Sequence, residues 1–322
     1  MRTLTLLVLA FTIAGCPTAD PDPEPTPEPT PDPSELPEPG DLTLNGPCEL
    51  EDRYGAFLVE STETYTIVQG QVSQGVVPIS VLEETATDGD CRLMKRNNPY
   101  CTPACQAGET CDFNSDCIPF PAAQDLGQVG VRGLVQDIVI DPVQPGWNYF
   151  NTTLPHPAIR PDETIRVRTG AGTWDSFDLY GIGVEDLELP ASETWRVEEG
   201  VDTQLSWTAS TSSNATEVFF TLNIDQHGNT PTSLQCTFDD DGAATVPAAM
   251  VELLTEAGVS GWPSGRMSRR TVDSTAVGEG CVDLTVSSPR SAEIDLIGYY
   301  PCNQANPCPE GLACNYAIEL CE

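Results

Sequence analysis

The sequence predicts a mostly β fold: a β-sandwich-type domain with one short helix, two small disulfide-rich modules and a disordered N-terminal stalk. Three observations carry that expectation. Short runs of β-branched and aromatic residues recur along the chain between turn residues, the pattern of packed sheets and not of a helical bundle. Beyond Cys16 there are twelve cysteines, eight of them in two short clusters with matching centres. From Pro17 to Asp41 proline alternates with Asp, Glu and Thr, without one basic residue. The implied segments are 1–15, an export signal; 16–45, a linker; 46–100, a small β region; 101–120, a first cysteine-rich module; 121–300, a β-sandwich-type region; and 301–322, a second module.

At the N-terminus, Met1-Arg2-Thr3 carries one positive side chain, and Leu4 to Ile13 forms an apolar run of signal-peptide length. A membrane-spanning helix needs about 20 apolar residues, so this run is too short to be a comfortable span. It ends in Ile13-Ala14-Gly15-Cys16, which resembles the lipobox of bacterial lipoproteins, an aliphatic residue and two small ones before a cysteine. The resemblance implies cleavage before Cys16, a diacylglycerol on its sulfur and an acylated new amino terminus. Each buried methylene contributes about 0.8 kcal/mol, so two or three acyl chains hold a protein durably where one does not. The chain is thus expected to be anchored to a membrane and not to span it. The proline run that follows cannot bury apolar area or pair as a strand. As polyproline II its roughly 25 residues reach on the order of 75 Å, which suits a spacer.

The strands are read from named runs: Thr64 to Val68, Val76 to Val81, Gln136 to Ile140, Thr164 to Thr169 and Ser176 to Ile182. Gln204 to Thr208, Glu217 to Ile224, Leu234 to Phe238, Val282 to Ser287 and Ile294 to Tyr299 continue the series. Asp241-Gly242 sits between two short runs and signals a hairpin. One helix is expected after Pro247, with Met250, Leu253, Leu254 and Ala257 at helical spacing and Gly258 as its stop. Trp207 and Phe219 or Phe220 read as sandwich core.

Thirteen cysteines less Cys16 leave an even twelve, in keeping with an oxidising compartment. The clusters are Cys101, Cys105, Cys111, Cys117 and Cys302, Cys308, Cys314, Cys321. Their centres, Cys105-Gln-Ala-Gly108-Glu-Thr-Cys111 and Cys308-Pro-Glu-Gly311-Leu-Ala-Cys314, form an internal repeat with glycine at the same offset. Glycine there permits the positive φ of a tight reversal. Neither cluster can build an apolar core, so bridges must staple it. Zinc is disfavoured because thiolate sites of this kind usually show C-x2-C pairs. Cys48 with Cys91, and Cys236 with Cys281, would each close a loop of roughly 45 residues worth about 4 kcal/mol, keeping each bridge within one unit. Four cysteines allow three pairings in each cluster. The clusters look like EGF-type modules, a resemblance that implies first-to-third and second-to-fourth bonds. They are also similar to the cysteine-rich module of Dickkopf proteins, which implies binding and supplies no catalytic residue. With the lipobox, the acidic stalk and the stretch Cys236-Thr-Phe-Asp-Asp-Asp-Gly242 to Val246-Pro247-Ala248, the whole order resembles cell-surface lipoproteins of delta-type proteobacteria. That resemblance implies architecture and no chemistry.

Asp and Glu number 49 against 14 Lys and Arg, a formal net charge of −35. Such a surface repels nucleic acid and anionic membranes. The two histidines sit in connector-like contexts, His156 between prolines and His227 after a strong strand. No H-E-x-x-H, G-x-S-x-G or P-loop occurs, and Ser264 has the wrong spacing for a nucleophile elbow. Asp112, Asn114 and Asp116 copy the opening of an EF-hand loop, but Cys117 and Ala123 replace the required Gly and Glu. Asp239 to Asp241 read as a solvated hairpin tip. Arg266, Arg269 and Arg270 are expected to neutralise neighbouring acids; receipt of an anionic ligand is the other reading. No catalytic residue, metal or cofactor is assigned. The expected function is that of a non-enzymatic, membrane-anchored envelope lipoprotein of the outer membrane, periplasmic or surface-exposed, contacting a protein or glycan. A carboxylate-type secreted hydrolase and a structural envelope component are the alternatives. Carboxylates converging in a cleft would favour the hydrolase.

Overall fold

Nine strands of the computed structural model share one hydrogen-bonded sheet, because their buried and solvent-facing side chains alternate with the period of two that a half-covered sheet requires. They are β1 (Arg53–Ser61), β2 (Thr66–Val72), β3 (Leu82–Asp88), β4 (Cys91–Arg96) and β5 (Tyr149–Asn151). The others are β6 (Glu217–Asn223), β7 (Thr232–Asp239), β8 (Ser264–Val277) and β9 (Gly280–Arg290). The structure describes residues 36–96, 99–191, 193–212, 216–225 and 232–322. The expected export signal, Cys16, the linker up to residue 35 and His227 lie outside them. The sheet order is β3-β4-β7-β6-β8-β9-β1-β2-β5. Neighbours are antiparallel except β9 and β1, which run parallel with Phe57 opposite Leu284 and Val59 opposite Val286.

Two apolar cores cover the inner face. Phe57, Val59, Val68, Leu284 and Val286 pack against a four-stranded sheet through its Val131, Ile165, Val167 and Leu179. That sheet pairs the strands Asp178–Ile182, Thr164–Thr169, Val129–Arg132 and Ile138–Ile140 in that order. Val218, Phe220, Leu234 and Met267 pack in a second core against Trp195, Leu205, Met250 and Leu254. These come from the strands Thr194–Val197 and Thr203–Ser206 and from the helix α1 (Ala248–Ala257). Each large apolar side chain fully buried in this way contributes about 1.5–3 kcal/mol. Among the described residues the fold is therefore mostly β with one α-helix. The regions expected at 46–100 and 121–300 are woven into the same large sheet.

Between the two cores β8 presents a polar inner face. Thr271 Oγ1 accepts the Ile182 N–H at 3.2 Å and donates to the Ile182 carbonyl at 2.8 Å, and Asp273 Oδ2 accepts the Tyr180 N–H at 3.0 Å. Arg269 Nη1 donates to the Asp186 carbonyl at 2.9 Å, and on β9 Ser288 Oγ accepts the Leu187 N–H at 3.1 Å. The edge of the smaller sheet and the chain leaving it thus find side-chain partners for backbone groups that would otherwise be buried unpaired.

Several expectations are corrected. Val76 to Val81 is not a strand; Pro78 has no N–H to give a ladder, and Pro78–Ser80 makes a 3-10 turn before β3. Asp241-Gly242 does not close a hairpin between adjacent strands, because Ala243–Val246 leaves β7 to pair with Thr203–Ser206 in another sheet. Helix α1 ends at Gly258 as expected, with φ of 125°, but buries Met250, Val251, Leu254 and Thr255 while Leu253 stays exposed.

Cys48 is bonded to Cys281 and Cys91 to Cys236, in place of the expected Cys48–Cys91 and Cys236–Cys281. The cause is topology: β9 lies beside β1, and β7 lies beside β4 with Cys236 directly opposite Cys91. Neither β region closes on itself. Within the modules the bonds are Cys101–Cys111, Cys105–Cys117, Cys302–Cys314 and Cys308–Cys321, first to third and second to fourth. Gly108 and Gly311 adopt φ of 88° and 96°, the left-handed reversal that the repeated glycine allows.

Candidate functional site

The outer face of the large sheet is open to solvent over its middle strands. The register of β6 and β8 puts Glu217, Phe219 and Thr221 there, opposite Arg270, Ser268 and Arg266. All of these but Glu217 line a trough of about 320 Å³ that Leu58, Glu60, Thr285 and Ser287 complete. Its two arginines are already neutralised. Arg270 Nε donates to Glu217 Oε1 at 2.7 Å while its guanidinium lies 3.7 Å over the Phe219 ring, and Arg266 pairs with Glu60. Burial pulls the Arg270 pKa below the usual guanidinium value, with Glu217 opposing that shift. Ser268 and Ser287 retain only 8% and 3% of their exposure, yet their hydroxyls face the trough without a hydrogen-bond partner among the described residues.

The trough opens into two further hollows. Glu60 and Arg266 also line a space of about 340 Å³ with Glu63, Tyr65 and Arg290. Glu63 and Arg290 then line a cleft of about 560 Å³ that includes Asp186, Glu188, Glu193 and Glu293. Arg290 lines the cleft, with Nε 3.7 Å from Glu63 Oε1 and Nη2 3.7 Å from Asp186 Oδ1. Shared lining residues set these hollows side by side in a row from the middle of the sheet to the ends of β1 and β9.

The arginine cluster expected to neutralise acids does so at each position, with Glu60, Asp240 and Glu217 as partners. Asp240 is not at a solvated tip. Its side chain is 4% exposed and bonded to Arg269 Nε at 2.5 Å, Trp207 Nε1 at 2.8 Å and Thr216 Oγ1 at 2.8 Å. Burial alone would raise its pKa, but the hydrogen bonds from Arg269, Thr216 and Trp207 hold it below the usual carboxylate value. Asp283 is pushed up by burial, against the Cys48 N–H and Arg53, and lies beneath the segment around Cys48 within coulombic reach of Arg270.

The other candidates do not converge. His156 is exposed, its Nδ1 3.1 Å from Thr66 Oγ1. Ser264 opens β8 opposite Asn223. Asp112 Oδ1 accepts the N–H groups of Asn114 and Asp116 at 2.9 and 2.8 Å, so it shapes a turn. The cysteine groups close enough to hold a metal include Cys101, Cys105, Cys111 and Cys302, Cys308, Cys321, whose sulfurs are all bonded in pairs and are not thiolates. The modules expose Phe113 and Tyr316, and Tyr100 and Tyr300 beside them are also exposed.

Sequence reasoning missed Glu60, Ser287 and the outward role of Phe219. The usable signal was the alternation Glu217-x-Phe219-x-Thr221 beside Arg266-x-Ser268-x-Arg270, two strands with one polar face each. Among the described residues no helix is long and apolar enough to cross a membrane. No protein-family model matches the chain, and no curated protein matches it.

Proposed function

We propose that this protein is an exported lipoprotein, held at the cell envelope by lipid on Cys16, and that it acts by contact with an envelope protein or glycan. The anchor rests on Ile13-Ala14-Gly15-Cys16. The contact reading rests on one observation above all, the open sheet face whose paired arginines and glutamates line a row of adjoining hollows. The stapled modules add exposed aromatic side chains of the kind enriched at interfaces. Nucleic acid is not the partner of a chain with net charge −35.

Two experiments test this reading. Cys16→Ala should abolish lipid attachment and move the protein out of the detergent phase; unchanged partitioning would refute the anchor. Capture of envelope components should survive His156→Ala and fall on Cys308→Ser/Cys321→Ser, which opens one bridge of the second module. The opposite pattern, with a normal thermal melt for the histidine variant, would count against contact.

A carboxylate-type hydrolase is the second reading, favoured by Glu63, Asp186, Glu188 and Glu193 around one cleft. Against it, the Arg290 guanidinium lies 3.7 Å from both Glu63 and Asp186, the reverse of the apolar surroundings in which a glycosidase acid keeps its proton. Hydrolysis of polysaccharide substrates that disappears in Glu63→Gln or Asp186→Asn would establish it.

A further inference from the structure

Buried polar groups in folded proteins are almost always hydrogen-bonded. Ser268 and Ser287 are each more than nine-tenths buried, yet their hydroxyls lie in the wall of the trough with no protein partner among the described residues, so water or a ligand in the trough must satisfy them. On either side of them stand Arg266 with Glu60 and Arg270 with Glu217. Each such pair sets N–H donors beside carboxylate acceptors and leaves no net charge. A partner that offers donors and acceptors close together fits these pairs, and the carboxylates of Glu63, Asp186, Glu188, Glu193 and Glu293 around Arg290 at the far end disfavour an anion.

Other partners fit less well. A polyanion meets a protein of net charge −35. A peptide adding as a strand needs a free sheet edge, and the trough lies mid-sheet where β8 is paired on both sides. An apolar ligand would find Leu58 and one ring, Phe219, whose face carries Arg270. The row of hollows is also long, because successive hollows share Glu60 and Arg266 and then Glu63 and Arg290. We propose that it binds a neutral, linear oligosaccharide whose hydroxyls pair with Ser268, Ser287 and the flanking arginine–glutamate pairs. This deepens the contact reading and rests on it.

The test titrates the detergent-solubilised full-length protein with neutral linear oligosaccharides of glucose and of N-acetylglucosamine, read by calorimetry. Saturable binding is expected with at least one of them. Ser287→Val should weaken it roughly tenfold through one lost hydrogen bond. Ser268→Leu, which fills the trough, should abolish it, and Ser268→Thr, which keeps the hydroxyl, should preserve it. Arg266→Gln changes a half-exposed side chain and gives a second reading of affinity should Ser268→Leu fail to fold. No binding by the native chain, or equal affinity in Ser268→Leu and Arg266→Gln, would overturn the proposal. Binding of a lysine-rich peptide without any sugar would overturn the oligosaccharide and leave contact standing. Binding of neither, together with envelope capture unaffected by the opened module, would remove both.

Discussion

Arg269 and Asp240 tie distant parts of the chain to the middle of the large sheet, because one guanidinium serves Asp240, the Asp186 carbonyl and the Thr208 carbonyl at 2.6 Å. Removing one partner leaves a buried charge uncompensated, so Asp240→Leu alone should cost about 3–5 kcal/mol. The double variant Asp240→Leu/Arg269→Met should lose clearly less, as denaturant titration will read. Two carboxyls then give stability opposite slopes with pH. Asp240 has a depressed folded pKa, so its contribution is full above the unfolded value of about 3.9 and is lost as pH falls through the folded value. Asp283 has a raised folded pKa, so stability declines as pH rises from the unfolded value through the folded one, where the buried carboxylate forms. Thermal melts across acid pH should show that second decline vanish in Asp283→Asn while the acid loss due to Asp240 persists. Persistence of the decline on rising pH in Asp283→Asn would contradict the assignment.

β6 and β8 lie side by side, and they differ in how plainly the sequence announces them. Glu217 to Ile224 alternates polar and apolar residues, so its strand was legible to within one residue of its true end at Asn223. β8 was hidden because Arg269, Thr271 and Asp273 occupy its inner face, where a strand pattern expects apolar residues. Their reason is tertiary: they meet the backbone from 180 to 186. The fold class survived this gap because turn residues and cysteines mark a β protein without saying which strands are neighbours. Neighbours are what decide bridges, hence the misassigned pairing of Cys48, Cys91, Cys236 and Cys281. The row of hollows suffered likewise, as Arg266 and Arg270 were visible but Glu60 and Glu217 reach them from other strands. If β8 acts as this polar seam, Thr271→Val should cost about 1–3 kcal/mol by orphaning the Ile182 N–H and carbonyl. Faster hydrogen exchange at the Ile182 amide would confirm the locus, and unchanged exchange would argue against it.

At the scale of the molecule, the twelve cysteines beyond Cys16 form six bridges. Mass spectrometry of the unreduced protein should find those pairs and no free thiol, and bound zinc would contradict them. The pairing of β1 with β9, fastened by Cys48–Cys281 across a separation of 233 residues, also sets a timetable. A chain delivered from its N-terminus offers β1 long before β9 exists, so the central ladder must await nearly the whole polypeptide. Meanwhile an oxidant acting in order of arrival meets Cys48 and Cys91 first and joins the wrong two sulfurs, a bond that only thiolate exchange can undo. Pulse-labelled chains oxidised as they are delivered should accordingly pass through trapped Cys48–Cys91 species and mature faster with a disulfide isomerase. Early formation of Cys48–Cys281, with a rate indifferent to the isomerase, would show that maturation of this protein needs no proofreading of its bridges.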